Sequence, residues 1–472
     1  MKNNEVDFLR KNARNVAYCL LLLLVILMLY VSYIQIIEAP FLAANPLNRR
    51  SAELSGRIER GQILDRNGKQ LAVSIQNNTG QFYRKYPYGA IMAQLVGYDS
   101  KKYGQAGLEA TYNEYLSGFN NPEYKLGPVS HLWTKNRGNN LILTIDADLQ
   151  QLAYRALGNH RGAVVAVSPR TGAILALVSK PSFDPNTVDR NWQTVSRSTD
   201  SPLLNRAVQG LYPPGSTIKI MTAGAALADG ITDLNRTFLC NGALKIGPDY
   251  VLHDAENVAH GKIDLSEALT VSCNVTFGQI AMELGAKRMA NTFEQFGFSR
   301  VANPELQEVP SQLPDFAKLS EGELAQTGIG QGRLLVTPLK MAMLAEAFAD
   351  GGVMKRPYLV SKIVAPDGAV IKQFTPQEWL RPLDRRWTDA VKKMMVAVVN
   401  QGTGKAAQLA GVSVAGKTGT AENPHGRPHA WFIGFAPAED PQIAVAVIVE
   451  NAGYGGDAAA PIARQLFAQV LR

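Results

Sequence analysis

The sequence has few of the residues that cross-link small secreted proteins or bind transition metals, with 3 cysteines and 6 histidines among 472 residues. Cys19 lies in an apolar N-terminal run. Cys240 and Cys273 can pair only if the fold brings them together, so we predict free thiols. Four scattered histidines lack metal-ligand spacing, which favours structural or surface roles and predicts neither a metal nor a cofactor: His253, His260, His425 and His429.

Charge is also sparse, because only 19% of the residues are charged and the net charge of +8 is spread along the chain. No basic cluster is interleaved with aromatic residues, so nucleic-acid binding is not expected. A basic surface is compatible with anionic lipid or wall polymer nearby, and a solvated surface that happens to be basic explains it equally well. A chain of this length with 46% hydrophobic residues is typical of two or three folded domains with an apolar anchor.

One long apolar run follows a basic N-terminal tail. Residues 1–15 contain four Lys or Arg residues, and residues 16–38 are mostly apolar, which is long enough to span a bilayer. We predict a single uncleaved anchor in the cytoplasmic membrane, with the tail inside and everything after residue 38 outside. A cleaved signal peptide is the alternative, but its apolar core would be unusually long and no clear small-residue cleavage pattern follows.

Residues 212–219, with the sequence YPPGSTIK, place a lysine three positions after a serine. Two prolines and a glycine stop the incoming chain, and the residues after them predict a helix that starts near Gly215 and ends before Gly230. Ser216 would then lie in the first turn, where free N–H groups could stabilise an oxyanion, with Lys219 on the same face. A lysine can activate a serine once burial or a second cation makes its ammonium easier to deprotonate. Alone, this spacing often occurs by chance.

A second short motif, SCN at residues 272–274, makes the first more specific. Ser272 could pass a proton between Lys219 and a leaving amine. Asn274 could hold the lysine and bind a substrate amide. Cys273 is interpreted as a packing residue rather than a chemical one.

The third motif, KTGT, ends the stretch 412–420, which we predict to be a strand. Lys417 supplies a second cation that would hold Lys219 partly neutral. Gly419 lets a peptide substrate lie close to the strand backbone and bind as an added strand. The N–H group of Thr420, with that of the nucleophilic serine, would form an oxyanion hole.

The rest of the chain predicts a small β-rich region followed by an α+β domain. Residues 60–72 predict a hairpin around an Asn-Gly turn, within a pedestal at 39–140 whose favoured role is that of a spacer. From residue 141, strands at both ends of the remaining chain enclose helices, which predicts a sheet domain over 141–472. Its elements are predicted as a strand from 141 into a helix capped by Asp146, a hairpin at 162–167 and 173–178, helices at 266–284 and 338–349, strands at 430–435 and 443–449, and a helix from Asp457.

Together these features resemble the class B penicillin-binding proteins, membrane-anchored D,D-transpeptidases of peptidoglycan synthesis, from the anchor to the end of the chain. The three motifs occur in that family in this order, and further segments resemble its recurring ones: 60–72, 107–113, 143–150, 328–332, 336–338 and 429–432. The resemblance implies a penicillin-recognising serine-transferase fold like that of β-lactamases. In that fold a five-stranded antiparallel sheet lies between helices, here preceded by a transmembrane helix and a small pedestal.

The resemblance also implies a reaction. The D-Ala-D-Ala end of a stem peptide would acylate Ser216, D-alanine would leave, and a neighbouring peptide's amine would take the acyl group, in cell division or cell-wall growth. Penicillins would acylate the same serine. Carried over residue by residue, the catalytic set is Ser216, Lys219, Ser272, Asn274 and Lys417, the oxyanion-hole set is Ser216 and Thr420, and the substrate-binding set is Asn274, Lys417, Thr418, Gly419 and Thr420.

Two other functions share parts of this pattern. A β-lactam hydrolase or sensor shares the Ser-Lys helix, but no Glu-x-x-Leu-Asn segment follows Asn274 to activate water, and a sensor would need more membrane helices. A mainly scaffolding activator of a glycosyltransferase is opposed by the intact motifs. The chain between the anchor and residue 143 is too short for a glycosyltransferase domain of its own. The resemblance therefore implies a polytopic glycosyltransferase as partner, contacted through the anchor and the pedestal.

Overall fold

The computed structural model describes residues 2–38, 58–118, 137–248, 250–424 and 426–472. Two parts of the predicted pedestal, 39–57 and 119–136, lie outside the described residues, as does His425.

Helix α1, Lys2–Tyr33, continues into a π-helical turn, Ile34–Glu38. Within the described ranges, the segment Arg10–Glu38 is the one helix long and apolar enough to cross a membrane, with a mean hydropathy of 2.7. Its apolar side chains are exposed, from Val16 to Ile37. This helix fits the predicted single anchor.

The other helices of the described ranges are α2 Ala93–Val96, α3 Gly107–Thr111, α4 Asn113–Leu116, α5 Ala147–Ala156, α6 Val188–Arg197, α7 Lys219–Ala228, α8 Leu265–Val271, α9 Asn274–Gln295, α10 Glu321–Gly328, α11 Pro338–Ala349, α12 Arg385–Asn400, α13 Gly455–Ala458 and α14 Ala460–Val470. The strands are β1 Ile63–Leu64, β2 Gln70–Gln76, β3 Phe82–Lys85, β4 Tyr98–Ser100, β5 Gly104–Ala106, β6 Asn140–Leu143, β7 Gly162–Val167, β8 Ile174–Lys180, β9 Thr237–Cys240, β10 Ala243–Ile246, β11 Tyr250–His253, β12 Gly261–Asp264, β13 Met354–Lys355, β14 Val360–Val364, β15 Val370–Gln373, β16 Glu378–Leu380, β17 Ala415–Ala421, β18 His429–Ala436 and β19 Ile443–Val449.

The central sheet has five antiparallel strands in the order β17-β18-β19-β7-β8. Both faces of this sheet are covered. In β19, Ala444, Ala446 and Ile448 pack into one apolar cluster that also holds residues of α7 and α11. Val445 and Val447 pack into a second cluster with residues of α5 and α14. Burial on both faces explains why the strands read as continuous apolar runs rather than alternating ones. The predicted five-stranded sheet between helices is confirmed.

Local signals in the sequence account for several elements. The Asp146 side chain accepts hydrogen bonds from the N–H groups of Asp148 and Leu149, which confirms the predicted cap of α5. The predicted hairpin at 60–72 is present as β1 and β2, with a turn in which Gly68 has a φ of +84°. Helix α11 begins and ends at the predicted residues 338 and 349.

A second sheet of six strands, in the order β15-β14-β6-β1-β2-β3, joins the pedestal to the rest of the chain. Strand β6 straddles the boundary predicted at 140/141, and it pairs in parallel with β1 and antiparallel with β14. Strands β14 and β15 come from residues 360–373, far beyond that boundary. The two predicted domains are therefore connected through backbone hydrogen bonds, and the boundary itself stays a prediction.

Two of the recurring pedestal segments meet at a buried charge cluster. The Glu109 carboxylate is fully buried and binds the guanidinium groups of Arg60 and Arg84, each at 2.6 Å. Burial alone would raise the pKa of Glu109, but the two arginines hold it below its ordinary value. These ion pairs hold α3 against the pedestal strands, so the cluster has a structural role.

Candidate active site

The segment that carries Ser216 begins as a 3-10 turn, Gly215–Ile218, and continues as α7. This confirms the helix predicted between Gly215 and Gly230, and the first turn is tighter than an α-helix. Ser216 is half-buried, whereas Lys219 is fully buried. The serine therefore stays accessible at the start of a helix whose other residues form part of the core.

The chain that enters this turn is held from several sides. Tyr212 pairs with Val336 through backbone hydrogen bonds in both directions, and the indole N–H of Trp431 donates to the carbonyl of Pro213 at 3.0 Å. The Glu450 carboxylate accepts hydrogen bonds from the Tyr212 hydroxyl and from Arg206 Nε, each at 2.8 Å. Burial would raise the pKa of Glu450, but these partners lower it, so the group remains an ionised acceptor. These contacts fix the position of the chain segment that leads into Ser216.

Lys219 reaches the second motif. Its Nζ donates to the carbonyl oxygen of Ser272 at 2.6 Å and to Oδ1 of Asn274 at 2.7 Å, and lies 3.4 Å from Ser272 Oγ. Among the described residues, no hydrogen bond joins this Nζ to Ser216. If Lys219 takes the proton of Ser216, as the motif predicts, the two side chains must approach each other more closely than they do here.

The second motif lies in a break between two helices. The sequence predicts one helical stretch over 266–284, and this prediction was wrong at its centre. Helix α8 ends at Val271 and is followed by Ser272, whose φ is +64°. Cys273 then caps the start of α9 by accepting a hydrogen bond from the Thr276 N–H. The left-handed conformation, which costs energy for a residue other than glycine, allows the carbonyl and hydroxyl of Ser272 to bind Lys219 together.

The third motif lies on the edge strand β17, which begins at residue 415 rather than at the predicted 412. Lys417 is fully buried, and its Nζ donates to Ser272 Oγ at 2.8 Å and to the carbonyl of Thr418 at 3.0 Å. The Ser272 hydroxyl thus lies between two lysine side chains. Motifs that are separated by 53 and 145 residues meet at this one oxygen.

The two lysines do not carry ordinary pKa values. Burial lowers the pKa of Lys219 to about 8, although the charge of Asp254 opposes the change. Burial also holds the pKa of Lys417 well below its usual range, and the charge of Lys219 lowers it further. The sequence motifs predict that Lys417, as a second cation, holds Lys219 partly neutral. In the structure burial is the cause that lowers the pKa of Lys219, and no carboxylate of the described residues forms an ion pair with either amine.

Strand β17 runs directly beside the start of the turn that contains Ser216. A Cβ atom added to Gly215, whose φ is +55°, would lie 2.8 Å from the carbonyl oxygen of Thr420. The two backbones therefore approach closely, which is compatible with the predicted oxyanion hole formed by the N–H groups of Ser216 and Thr420. Thr418 is nearly buried, and its hydroxyl contacts that of Thr403, a residue that sequence analysis did not identify.

A cluster of possible metal ligands lies behind the second motif. One ligand atom from each of four side chains lies within 4.8 Å of the others: Cys240, Asp254, His260 and Cys273. Two thiols, an imidazole and a carboxylate are donors that suit Zn²⁺, so the set could hold such an ion. Asp254 also accepts a hydrogen bond from the Asn274 N–H at 3.1 Å, which connects the cluster to the second motif. Elemental analysis of protein purified without chelators tests the predicted absence of metal.

Sequence spacing could not reveal this cluster, because its members come from separate strands and loops. The two cysteines are brought together and both are free, which confirms the predicted thiols. Cys273 is buried, as its interpretation as a packing residue requires, and burial raises its pKa to about 12.

His429 accepts a hydrogen bond from the Asn451 N–H and packs edge-on against Tyr212, which is a structural role.

Comparisons with known proteins agree with this geometry. Residues 162–468 match the family described as the penicillin binding protein transpeptidase domain, and residues 60–139 match the penicillin binding protein A dimerisation domain. The chain is 34% identical to the peptidoglycan D,D-transpeptidase PbpA of Mycolicibacterium smegmatis over 97% of this chain and 98% of that protein. It is 33% identical to the peptidoglycan D,D-transpeptidase MrdA of Acinetobacter baumannii over 80% of this chain and 65% of that protein.

A solved structure is similar as well. Penicillin-binding protein A from M. tuberculosis, determined as a ceftriaxone acyl-enzyme complex, superposes with a TM-score of 0.84 at 33% sequence identity. The superposition covers 89% of this chain and 99% of that one.

Proposed function

This chain belongs to the class B penicillin-binding proteins, the β-lactam-inhibited serine D,D-transpeptidases of peptidoglycan synthesis, and we propose that it cross-links stem peptides through an acyl-enzyme on Ser216. The three motifs meet at Ser272 Oγ, which lies 2.8 Å from Lys417 Nζ and 3.4 Å from Lys219 Nζ. This observation supports the proposed roles. A serine one helical turn before a buried lysine, with a hydroxyl relay beside it, suits acyl transfer.

In the acylation step, Lys219 in its neutral form removes the proton from Ser216 Oγ as that oxygen attacks the carbonyl carbon of the penultimate D-alanine. A C–O bond forms, and the N–H groups of Ser216 and Thr420 stabilise the resulting oxyanion. Ser272 relays a proton to the nitrogen of the terminal D-alanine. The C–N bond then breaks, and D-alanine leaves.

In the second step, the amine of a neighbouring stem peptide attacks the ester carbonyl. The same lysine and hydroxyl take the proton from the attacking nitrogen and return it to Ser216 Oγ as the ester bond breaks. One amide bond is exchanged for another, so the chemistry needs no cofactor. The Asn274 side chain accepts a hydrogen bond from Lys219 through Oδ1, and its proposed second role is to bind an amide of the donor peptide.

The wild-type protein tests this function directly. With a donor peptide that ends in D-Ala-D-Ala and an acceptor peptide that offers an amine, we expect D-alanine and cross-linked product to appear in equal amounts. Slow turnover of nitrocefin is expected in parallel. Donor hydrolysis without cross-linking, together with rapid nitrocefin turnover, would instead identify a hydrolase, and absence of any acylation would favour a scaffold.

The lowered pKa of Lys219 predicts the pH dependence of acylation. Because the neutral amine is the base and its pKa is about 8, about a tenth of it is neutral at pH 7. The second-order rate constant for acylation by a penicillin should rise about tenfold from pH 6 to pH 7 and level off above about pH 8. Stopped-flow measurements between pH 6 and 9 check this, with melting temperatures as the control for folding. A flat profile would exclude Lys219 as the titrating base.

The membrane arrangement and the partner extend the proposal. We propose that the N-terminal tail is cytoplasmic and that the catalytic region lies outside the membrane. The long exposed apolar surface of α1 would then be available to a polytopic glycosyltransferase as well as to lipid. Exchange of residues 1–38 for an unrelated single-pass anchor should abolish co-purification with that enzyme and leave penicillin acylation intact. Co-purification that survives the exchange would place the contact elsewhere.

A further inference from the structure

Thr403 lies in the turn after α12, and its exposed side chain lies over the nearly buried Thr418 of the third motif. The two hydroxyl oxygens are 2.5 Å apart, so they share a hydrogen bond. The turn packs tightly against the end of α8. The Thr403 N–H donates to the carbonyl of Thr270 at 3.4 Å, and a Cβ atom added to Gly402 would lie 2.2 Å from that oxygen. Thr403 is thus held between the end of α8, just before the second motif, and the third motif.

Two N–H donors of the lysine in the third motif already have hydrogen-bond acceptors within the protein. Lys417 is fully buried, and its Nζ donates to Ser272 Oγ and to the carbonyl of Thr418. A substrate carboxylate in the cleft would therefore depend on hydroxyl groups of β17 as well as on the charge of this lysine. Each hydroxyl has one hydrogen to donate, which makes the direction of the bond between Thr403 and Thr418 decisive.

If Thr418 donated to Thr403, its own hydrogen would be used and its oxygen lone pairs would repel a carboxylate. If Thr403 donates, the Thr418 hydrogen is free to point into the cleft. The accepted bond also polarises the Thr418 hydroxyl and makes it a stronger donor. Hydrogen bonds to an ionised acceptor are about twice as strong as neutral ones, so a carboxylate in the cleft favours this second direction.

We propose that Thr403 is a positioning residue for the substrate carboxylate: its hydroxyl donates to Thr418 and thereby orients the Thr418 hydroxyl toward the terminal carboxylate of the donor peptide and the equivalent group of a penicillin. The inference rests on the proposed acylation of Ser216. It adds a residue from outside the three motifs, on a different element from β17. The role depends on the hydroxyl of Thr403 rather than on its bulk.

Two matched variants and two matched ligands test this role. Thr403→Val keeps the shape of the side chain and removes the hydroxyl, whereas Thr403→Ser keeps the hydroxyl. With benzylpenicillin, the second-order acylation rate constant should fall about tenfold in Thr403→Val, the effect of one charge-assisted hydrogen bond. Thr403→Ser should stay within about twofold of wild type. With the methyl ester of benzylpenicillin, which has no carboxylate charge, Thr403→Val should differ from wild type by less than about twofold.

The comparison separates the possible outcomes. Equal losses with the acid and the ester would show that Thr403 supports the turn, and would overturn the proposal. An unchanged rate with the acid would also overturn it. If the melting temperature of Thr403→Val falls, Thr403→Ala takes its place with the same two ligands. Failure of the wild-type protein to react with either ligand would contradict the proposed function instead.

Discussion

The Ser216→Ala variant is expected to form no covalent adduct with a fluorescent penicillin, whereas the wild-type chain should give a labelled band after denaturation. Ser216 is the accessible hydroxyl at the start of the turn before α7, and alanine removes the only atom that could form the ester. The fold should persist, because the side chain is half-buried and loses a single oxygen. Gel fluorescence of matched samples measures the adduct, and melting temperature checks the fold.

A companion variant separates the nucleophile from its base. Lys219→Met removes the amine and keeps an apolar side chain of similar length, so labelling should be slowed roughly a thousandfold, within the range for loss of a general base. Label on Ser216→Ala would identify a different nucleophile. Wild-type label that disappears quickly would indicate a hydrolase, and no label on wild type would leave only the scaffold role.

The Gly330→Ala variant is expected to lower the free energy of unfolding by at least about 3 kcal/mol and to slow acylation. Gly330 has a φ of +81°, and an added Cβ would lie 2.1 Å from the carbonyl oxygen of Gly215. The Gly215 N–H also donates to the carbonyl of Gly330 at 2.9 Å. Because Ser216 follows Gly215 directly, the backbone cannot move away there without displacing the nucleophile.

Gly230→Ala is the matched control. Gly230 follows α7, the helix that begins after Ser216, and its φ of +66° is similar to that of Gly330, but an added Cβ would meet nothing within 4 Å. It should therefore show only the conformational cost of a left-handed alanine, about 1 kcal/mol. Urea denaturation of both variants, with penicillin labelling in parallel, measures the difference. Equal stability losses in the two variants would mean that the contact between Gly330 and Gly215 relaxes easily.

Much of the site follows from local sequence signals. The prolines and glycine before Ser216 stop the chain and start the helix that carries Lys219, and both features are in the structure. The apolar runs of β7 and β19 predict buried strands because a sheet covered on both faces needs no polar face. The sequence pattern was therefore sufficient to predict features that depend on residues close together in the chain.

Other features depend on the tertiary fold. Nothing local in the apolar stretch 266–284 signals that Ser272 adopts a left-handed conformation, since serine rarely does so. The contact between Thr403 and Thr418 joins a turn to a strand, and the cluster around Asp254 joins strands and loops. The burial that lowers the pKa of Lys219 likewise comes from packing around the helix, which residue spacing does not reveal.

The six-stranded sheet has a practical consequence for anyone who trims this chain. A fragment that begins at residue 141 would lack β1, so β6 would lose its parallel partner and expose unpaired backbone groups on the side that faces away from β14. An exposed strand edge of this kind promotes aggregation. The smallest soluble fragment that keeps β1 and the Arg60 contact with Glu109 therefore starts before Arg60, well upstream of the catalytic motifs.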